Sequence, residues 1–260
     1  MQYGFCHLGI VPVRKEANET SEMVTQLLFG DTFSVLDQKG ERVLIENFDD
    51  NYRGWVDKKQ VIEIEFDQYD SYNKSSKQFV KDAIAYVFQT NIKTKEKIIY
   101  PIYLGSQVVS QKFQLGGIIF EISESSLTKN INTTVQHLMT ISLKFLSAPY
   151  LWGGKSLFGI DCSGFVQICY KQIGVRLLRD ASEQATQGED VKNLESALKG
   201  DLCFFSNKEG KITHVGIYIG NNEIIHSSGQ VRIDKIDEKG IFRSDSKTYS
   251  HTLSKINRYL

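Results

Sequence analysis

The sequence predicts an α+β fold, with a C-terminal domain that runs helices first and an antiparallel sheet afterwards, preceded by two small all-β barrels. Three observations carry that prediction. Short β-branched and aromatic runs broken by turn residues fill the first half of the chain. Apolar residues switch to helical spacing from Asn132. Alternating strand patterns then return after Gly200.

Residues 1–66 form the first β domain, on the runs Phe33-Ser34-Val35-Leu36-Asp37, Arg42-Val43-Leu44-Ile45-Glu46, Tyr52-Arg53-Gly54-Trp55-Val56-Asp57 and Val61-Ile62-Glu63-Ile64-Glu65. The polar stretch from Asp67 to Ser76 has the composition of a linker or long loop, and a domain boundary is expected there. Residues 67–128 repeat the strand-like character without residue-level self-similarity, in Ala85-Tyr86-Val87-Phe88, Ile98 to Tyr103 and Gly117 to Ile122. These predict a second small β domain.

Residues 129–260 form the third domain. Val135, Leu138, Met139, Leu143 and Leu146 predict a helix running toward Pro149, with Asn132, Thr133 and Thr134 as candidate caps. A second helix starts at Cys162, where Phe165, Val166, Ile168, Cys169 and Ile173 make an apolar stripe that Gly174 ends. Strands follow at Asp201-Leu202-Cys203-Phe204-Phe205 and Val215 to Ile219, with a hairpin partner around Glu223 to His226.

Thirty-one basic residues balance thirty-one acidic ones, and no basic stripe stands out, so nucleic acid is not an expected partner. No run is long and apolar enough for a membrane span. The first residues lack the charged region and apolar run of a secretion signal, so a cytoplasmic location is expected, with the cell envelope as the alternative if a leader has been removed. The four cysteines, Cys6, Cys162, Cys169 and Cys203, are too few and scattered for a disulfide framework, which suits a reducing compartment. No cofactor is called for, and a monomer is expected.

Chemistry concentrates where a glycine-rich loop, Trp152-Gly153-Gly154, leads through Asp161 into the second helix. That puts Cys162 in the first helical turn, where the dipole and unpaired backbone N–H groups favour the thiolate. The plainer reading is a buried structural cysteine, which suits Cys169 on the apolar face. His214 opens the strand His214-Val215-Gly216-Ile217-Tyr218-Ile219-Gly220 and shares a face with two glycines, so a thiol could approach it. Taken alone it reads more naturally as a histidine that merely ends a strand. A third group should orient the imidazole. If Ile219 pairs with Glu223 across a three-residue loop, Gly220-Asn221-Asn222, then Gly216 lies opposite His226 and both histidines share a face. A two-residue turn at Asn221-Asn222 is expected to turn His226 away.

Pro149-Tyr150-Leu151-Trp152-Gly153-Gly154, Asp161-Cys162-Ser163-Gly164-Phe165, Gly200-Asp201-Leu202, His214 to Gly220 and Ile225-His226 together closely resemble the NlpC-type family of peptidoglycan cysteine peptidases, over roughly residues 130–230. Val11-Pro12-Val13-Arg14, Phe29-Gly30-Asp31 and Tyr52 to Val56 resemble a bacterial SH3-like domain, and the second β domain would by the same resemblance be another. The resemblance implies a papain-like catalytic domain that hydrolyses the γ-D-glutamyl–diamino acid bond of peptidoglycan-derived peptides during wall turnover or recycling. It implies Cys162 as nucleophile, His214 as general base and His226 as the polar third member. The Cys162 backbone N–H, aided by the Tyr150 hydroxyl, would meet the oxyanion. Asp161 and Ser163 would flank the substrate, and Trp152 would wall the pocket or fill the core.

Similar enzymes with SH3-like domains require a free N-terminal L-alanine. Recognition of that ammonium calls for carboxylates and hydroxyls. Asp161 is the first candidate. Glu22 and Tyr52 are the next, on a β domain that would lean over the cleft, although a solvated glutamate and a packed barrel aromatic are equally natural there. Asp180 and Ser182, in Arg179-Asp180-Ala181-Ser182-Glu183-Gln184, echo a loop that borders the cleft. Three other readings compete. They are a wall-binding protein with an inactive peptidase domain, an acyltransferase or amidase on the same scaffold, and zinc held by Cys203, His214 and His226, whose spacing matches no common ligand pattern.

Overall fold

The structure is a computed structural model that describes residues 2–128 and 130–260. The chain divides into two compact units, residues 1–131 with 155–157, and residues 132–154 with 158–260. The boundary expected at Lys129 lies outside the described residues.

The first unit holds both β segments. Seven short strands form an antiparallel sheet in the order Met23–Leu28, Ile10–Arg14, Arg53–Asp57, Arg42–Asn47, Thr32–Lys39, Tyr3–Phe5 and Ile62–Ile64. Their inward positions, among them Val11, Val13, Leu27, Phe33, Val43, Ile45 and Val56, make one apolar core. A four-stranded sheet follows in the order Lys97–Tyr103, Ile84–Asn91, Ile118–Ile122 and Lys112–Leu115. Its buried face joins Phe5, Phe29 and Ile64 in a second core with Val87, Ile102 and Phe120.

The polar stretch expected to be a loop is instead helix α1, Phe66–Lys74. Glu65 and Gln68 close a capping box at its start. Tyr72 is buried edge-on against Phe5 and donates its hydroxyl hydrogen to the Gln107 carbonyl at 3.1 Å. One aromatic anchor and a good cap therefore outweigh a composition that reads as linker.

The second unit is α+β. Helix α2 spans Val135–Lys144, and the Thr134 hydroxyl caps it by accepting from the His137 N–H at 3.3 Å. Its buried side chains are Leu138, Ile141 and Ser142, whereas Leu143 and Leu146, expected on the apolar face, are exposed. Helix α3 spans Cys162–Lys171 and is buried along nearly its whole length. The ring of Phe165 meets that of Phe145 edge-on at 5.8 Å. Gly174 follows with a positive φ of 85°, a backbone conformation open to glycine at no steric cost. Helix α4 is a single turn, Ala181–Gln184.

Seven antiparallel strands follow in the order Glu189–Asp190, Thr248–Arg258, Leu202–Ser206, Ile212–Gly220, Glu223–Ser228, Gln230–Asp237 and Gly240–Arg243. The strand Thr248–Arg258 also pairs with Gly240–Arg243, so six strands close into a barrel and lose their free edges. Cys203, Phe205, Tyr218, Ile224, Ile236, Ile241 and Ile256 form one apolar cluster. Helix α3 packs against the strands Ile212–Gly220 and Glu223–Ser228. That packing brings a helix N-terminus to the two strands that carry the histidines.

Candidate active site

Asp161 is the N-cap of α3, and its Oδ1 accepts from the Gly164 N–H at 2.6 Å, which makes Cys162 the first helical residue. The same carboxylate accepts from the Gly153 N–H at 2.8 Å, from Ser163 Oγ at 3.3 Å and from both Arg179 Nη atoms, at 3.0 and 2.6 Å. Arg179 is only 1 % exposed and also donates to Ser163 Oγ at 2.8 Å. An ionised carboxylate offers about four lone-pair sites. Five donors meet that carboxylate, so Asp161 holds the cap and the arginine in place.

The helix terminus alone favours a thiolate at Cys162, but the surroundings tip the balance the other way. Burial, and then the Asp161 charge, push the thiol up to about 12, while the backbone N–H groups of Val215 and Ser163 and the Arg179 guanidinium act against that rise. His214 is pushed well below its ordinary value by burial and by the neighbouring His226 and His251. Burial therefore favours the uncharged form of both groups, the thiol and the imidazole. The Val215 N–H that meets the sulfur belongs to the residue after His214, so the α3 thiol meets the backbone of the strand that carries His214.

Gly216 lies opposite His226 and Ile217 opposite Ile225, the register the sequence predicts. The hairpin reaches it by another route. Asn221 and Asn222 form a two-residue turn, both with positive φ (55° and 54°), and Gly220 pairs with Glu223. A bulge between Tyr218 and Gly220 absorbs Ile219 and returns both histidines to one face. The tight turn was expected to break the pair, and the bulge is why it does not. Nε2 of His214 and Nδ1 of His226 lie 2.8 Å apart with their rings nearly perpendicular. A Cβ on Gly216 would come within 2.8 Å of the His226 Cβ, so this position has to be glycine for the second ring to sit where it does.

Two neighbours of the pair escape the sequence reading. His226 Nε2 lies 3.0 Å from Asp234 Oδ2, and Asp234 is 6 % exposed and paired with Arg232, whose Nη2 donates to Oδ1 at 2.8 Å. The signal available was the turn at Gly229, which sets Arg232 opposite His226 and Asp234 two residues further along that strand. His251, on the closing strand, stacks on His214 with ring centroids 4.0 Å apart at 22°. Burial is the main cause that pushes it down, to about 4. Only barrel closure brings it there, so no local pattern could announce it.

The cleft edge is tied to the same hairpin. The Tyr150 N–H donates to the Gly229 carbonyl at 2.9 Å, and Pro149 bridges to Gln230. Burial raises the Tyr150 phenol to about 12, with the Cys162 and Asp161 charges adding to the rise. Its hydroxyl therefore stays a donor at neutral pH. Trp152 is 61 % exposed, so it does not fill the core. Gln184, from α4, donates to the Ser163 carbonyl at 3.1 Å and fastens this turn to the nucleophile helix, with Asp180 and Ser182 exposed beside it. Glu22 and Tyr52 belong to the first unit. There Glu22 pairs with Lys15 at 3.3 Å, and the Tyr52 N–H donates to Asp50. Cys203 packs in the apolar cluster, and among the described residues no group of three or more His, Cys, Asp or Glu side chains is placed to hold a metal ion, so the zinc alternative lacks a site. A thiol at a helix N-terminus, met by the strand that carries His214, and a second histidine holding the first make the parts of an acyl-transfer site.

Residues 147–248 match the NlpC/P60 family, and residues 13–61 match the bacterial dipeptidyl-peptidase Sh3 domain. The chain is 30% identical to a γ-D-glutamyl-L-lysine dipeptidyl-peptidase of Bacillus subtilis, over 78% of this chain and 71% of that protein. It is 31% identical to a protein of the same name from Bacillus cereus, over 80% and 68%. Among solved structures, a NlpC/P60 family protein from Bacillus cereus superposes with a TM-score of 0.82 at 22% identity, covering 99% of each chain. Among the described residues no helix is long and apolar enough to cross a membrane.

Proposed function

Since the chain belongs to the NlpC/P60 family of cysteine peptidases, we propose that it cleaves the bond between γ-linked D-glutamate and a diamino acid in peptidoglycan stem peptides that carry a free N-terminal L-alanine. The names of the two Bacillus relatives support the γ-D-glutamyl bond and the dipeptide product. One observation carries the assignment of roles, namely the 2.8 Å contact between His214 Nε2 and His226 Nδ1 beside the strand residue whose N–H meets the Cys162 sulfur.

In this reading Cys162 Sγ attacks the γ-carbonyl carbon and its proton passes to His214 as the S–C bond forms. Backbone N–H of Cys162 and the Tyr150 hydroxyl take the oxyanion. The tetrahedral intermediate collapses to a thioester, the C–N bond breaks, and His214 returns the proton to the leaving amine. Water, deprotonated by His214, then releases the dipeptide and restores the thiol. Burial suits this sequence, because it keeps the resting site neutral and leaves charge to form only as attack proceeds.

The substrate ammonium is assigned first to Asp161, the N-cap carboxylate beside Cys162, and next to the exposed Asp180, whose carboxylate caps α4. The experiment is hydrolysis of L-Ala-γ-D-Glu-L-Lys, of its meso-diaminopimelate counterpart, and of both with an acetylated N-terminus, by wild type and by Cys162→Ala. Cleavage of the free-amine peptides alone, lost in the variant, is the expected result. Equal cleavage of the acetylated peptides rejects amine recognition, and activity in Cys162→Ala rejects the nucleophile. No cleavage of any peptide favours a wall-binding role.

A further inference from the structure

We propose that Asp234 is a positioning residue of the peptidase site, which fixes the tautomer of His226 and through it leaves Nδ1 of His214 free to accept the thiol proton. This rests on the assignment of His214 as the base. The steps follow from the contacts. Burial works to raise the Asp234 carboxyl, but its hydrogen bond to His226 and its pairing with Arg232 outweigh that and hold it below the usual range. At neutral pH it is therefore a carboxylate, which can only accept hydrogen bonds. The atom 3.0 Å away, His226 Nε2, must then be the donor.

His226 is pushed down by burial, the largest influence on it, and is neutral. A neutral imidazole carries one N–H, so its Nδ1 presents a lone pair. The atom 2.8 Å from that lone pair is His214 Nε2, which must in turn supply the hydrogen. His214 is also neutral, so its single proton is committed to Nε2 and its Nδ1 is bare. One buried negative charge thereby orients two rings in series. When His214 takes up the thiol proton, the new positive charge is held by the same two contacts.

The other titratable or charged groups facing this pair are Arg232 on the Asp234 strand, Arg243 on the next strand, Asp245 in the turn beyond it and His251 on the closing strand. Arg232 lies 2.7 Å, at Nε, from Asp234 Oδ2 and 3.2 Å, at Nη1, from Asp245. It keeps Asp234 ionised without donating to either histidine ring.

The test is side-chain nitrogen NMR of the full chain labelled in histidine, together with kinetics. In the wild type at neutral pH, His226 and His214 are each expected to carry their proton on Nε2. In Asp234→Asn the side-chain amide can donate to His226 Nε2, which reverses both tautomers and puts the proton on His214 Nδ1. The expected cost is about 10²–10⁴-fold in kcat at little changed KM, and Asp234→Glu is expected to recover part of it. A merely structural Asp234 would alter the melting temperature and leave both tautomers alone. A wild-type His226 protonated on Nδ1 overturns the proposal, and so does a variant in which tautomer and kcat do not change together. If Asp234→Asn does not fold, the wild-type spectrum alone decides. The spectrum is independent of substrate, so failure of the peptidase reading shows up separately, as activity retained in Cys162→Ala.

Discussion

Cys162 and Cys169 lie two turns apart on α3, both as free thiols and both buried, yet they meet different surroundings. Around Cys169 burial is the sole cause that raises the thiol. Around Cys162 burial is joined by the Asp161 charge and opposed by two backbone N–H groups and the Arg179 guanidinium. The difference is one of position on the helix. In the middle of α3 the backbone N–H groups are spent on the helix itself, while at its start they are unpaired and available to a sulfur or an oxyanion. A buried cysteine thus becomes a candidate nucleophile through the donors aimed at it, and low accessibility alone does not separate the two.

The sharpest way to break this comparison is to delete each sulfur. Cys162→Ala is expected to lower kcat by about 10⁴-fold or more. Cys169→Ala should leave kcat near wild type and cost on the order of 1 kcal/mol of stability, read by urea denaturation. A large loss of kcat in Cys169→Ala would void the contrast. Next in size is Asp161→Ala, which strands the buried Arg179 and removes the α3 cap. It should destabilise the protein by about 3–5 kcal/mol, and a variant that melts within a degree of wild type would show that the pair is dispensable.

Alkylation separates the two thiols by rate. Because Cys162 is held up at about 12, its reaction with iodoacetamide should quicken roughly tenfold per pH unit from pH 7 to 9, while Cys169 stays unreacted in the folded protein. Mapping of the modified peptides checks this, and a flat Cys162 profile would mean a thiolate already formed. The smallest expected effect concerns the histidines beside the thiol. Unfolded, each titrates near 6.5, whereas His251 in the fold is pushed to about 4 and His214 and His226 are also lowered. Between those values the unfolded chain binds more protons, so their contribution is complete above pH 6.5 and is lost as pH falls toward 4. Calorimetry should show the melting temperature dropping over that window, and less steeply in His251→Phe, which keeps a stacked ring that does not titrate.

The sequence made the nucleophile helix and the histidine hairpin legible because their signals are local. An N-cap aspartate, a cysteine and an apolar stripe lie within one helix, and two histidines are separated by one turn. Even there the bulge at Ile219 was hidden, since nothing in Tyr218-Ile219-Gly220 marks which residue drops out of the ladder. Helix α1 was hidden by its polarity. Asp234, Arg179 and His251 act at the site only through pairings that the fold creates, across a second hairpin, a loop and a closed barrel. The helix terminus at Cys162 is likewise visible in the sequence, whereas the burial that pushes its thiol up is not.

The closed ring of strands has one more consequence. His214 and His251 stack, yet their strands do not pair with each other: both flank Leu202–Ser206, and the second of them belongs to the strand that seals the barrel. A chain that has formed its hairpins but not this seam holds the thiol and both hairpin histidines without the wall behind them. Long-range pairings of this kind form late, after the entropy of a large loop has been overcome. The ring that backs His214 is therefore expected to be set in place last, after the hairpin that carries the catalytic pair has formed.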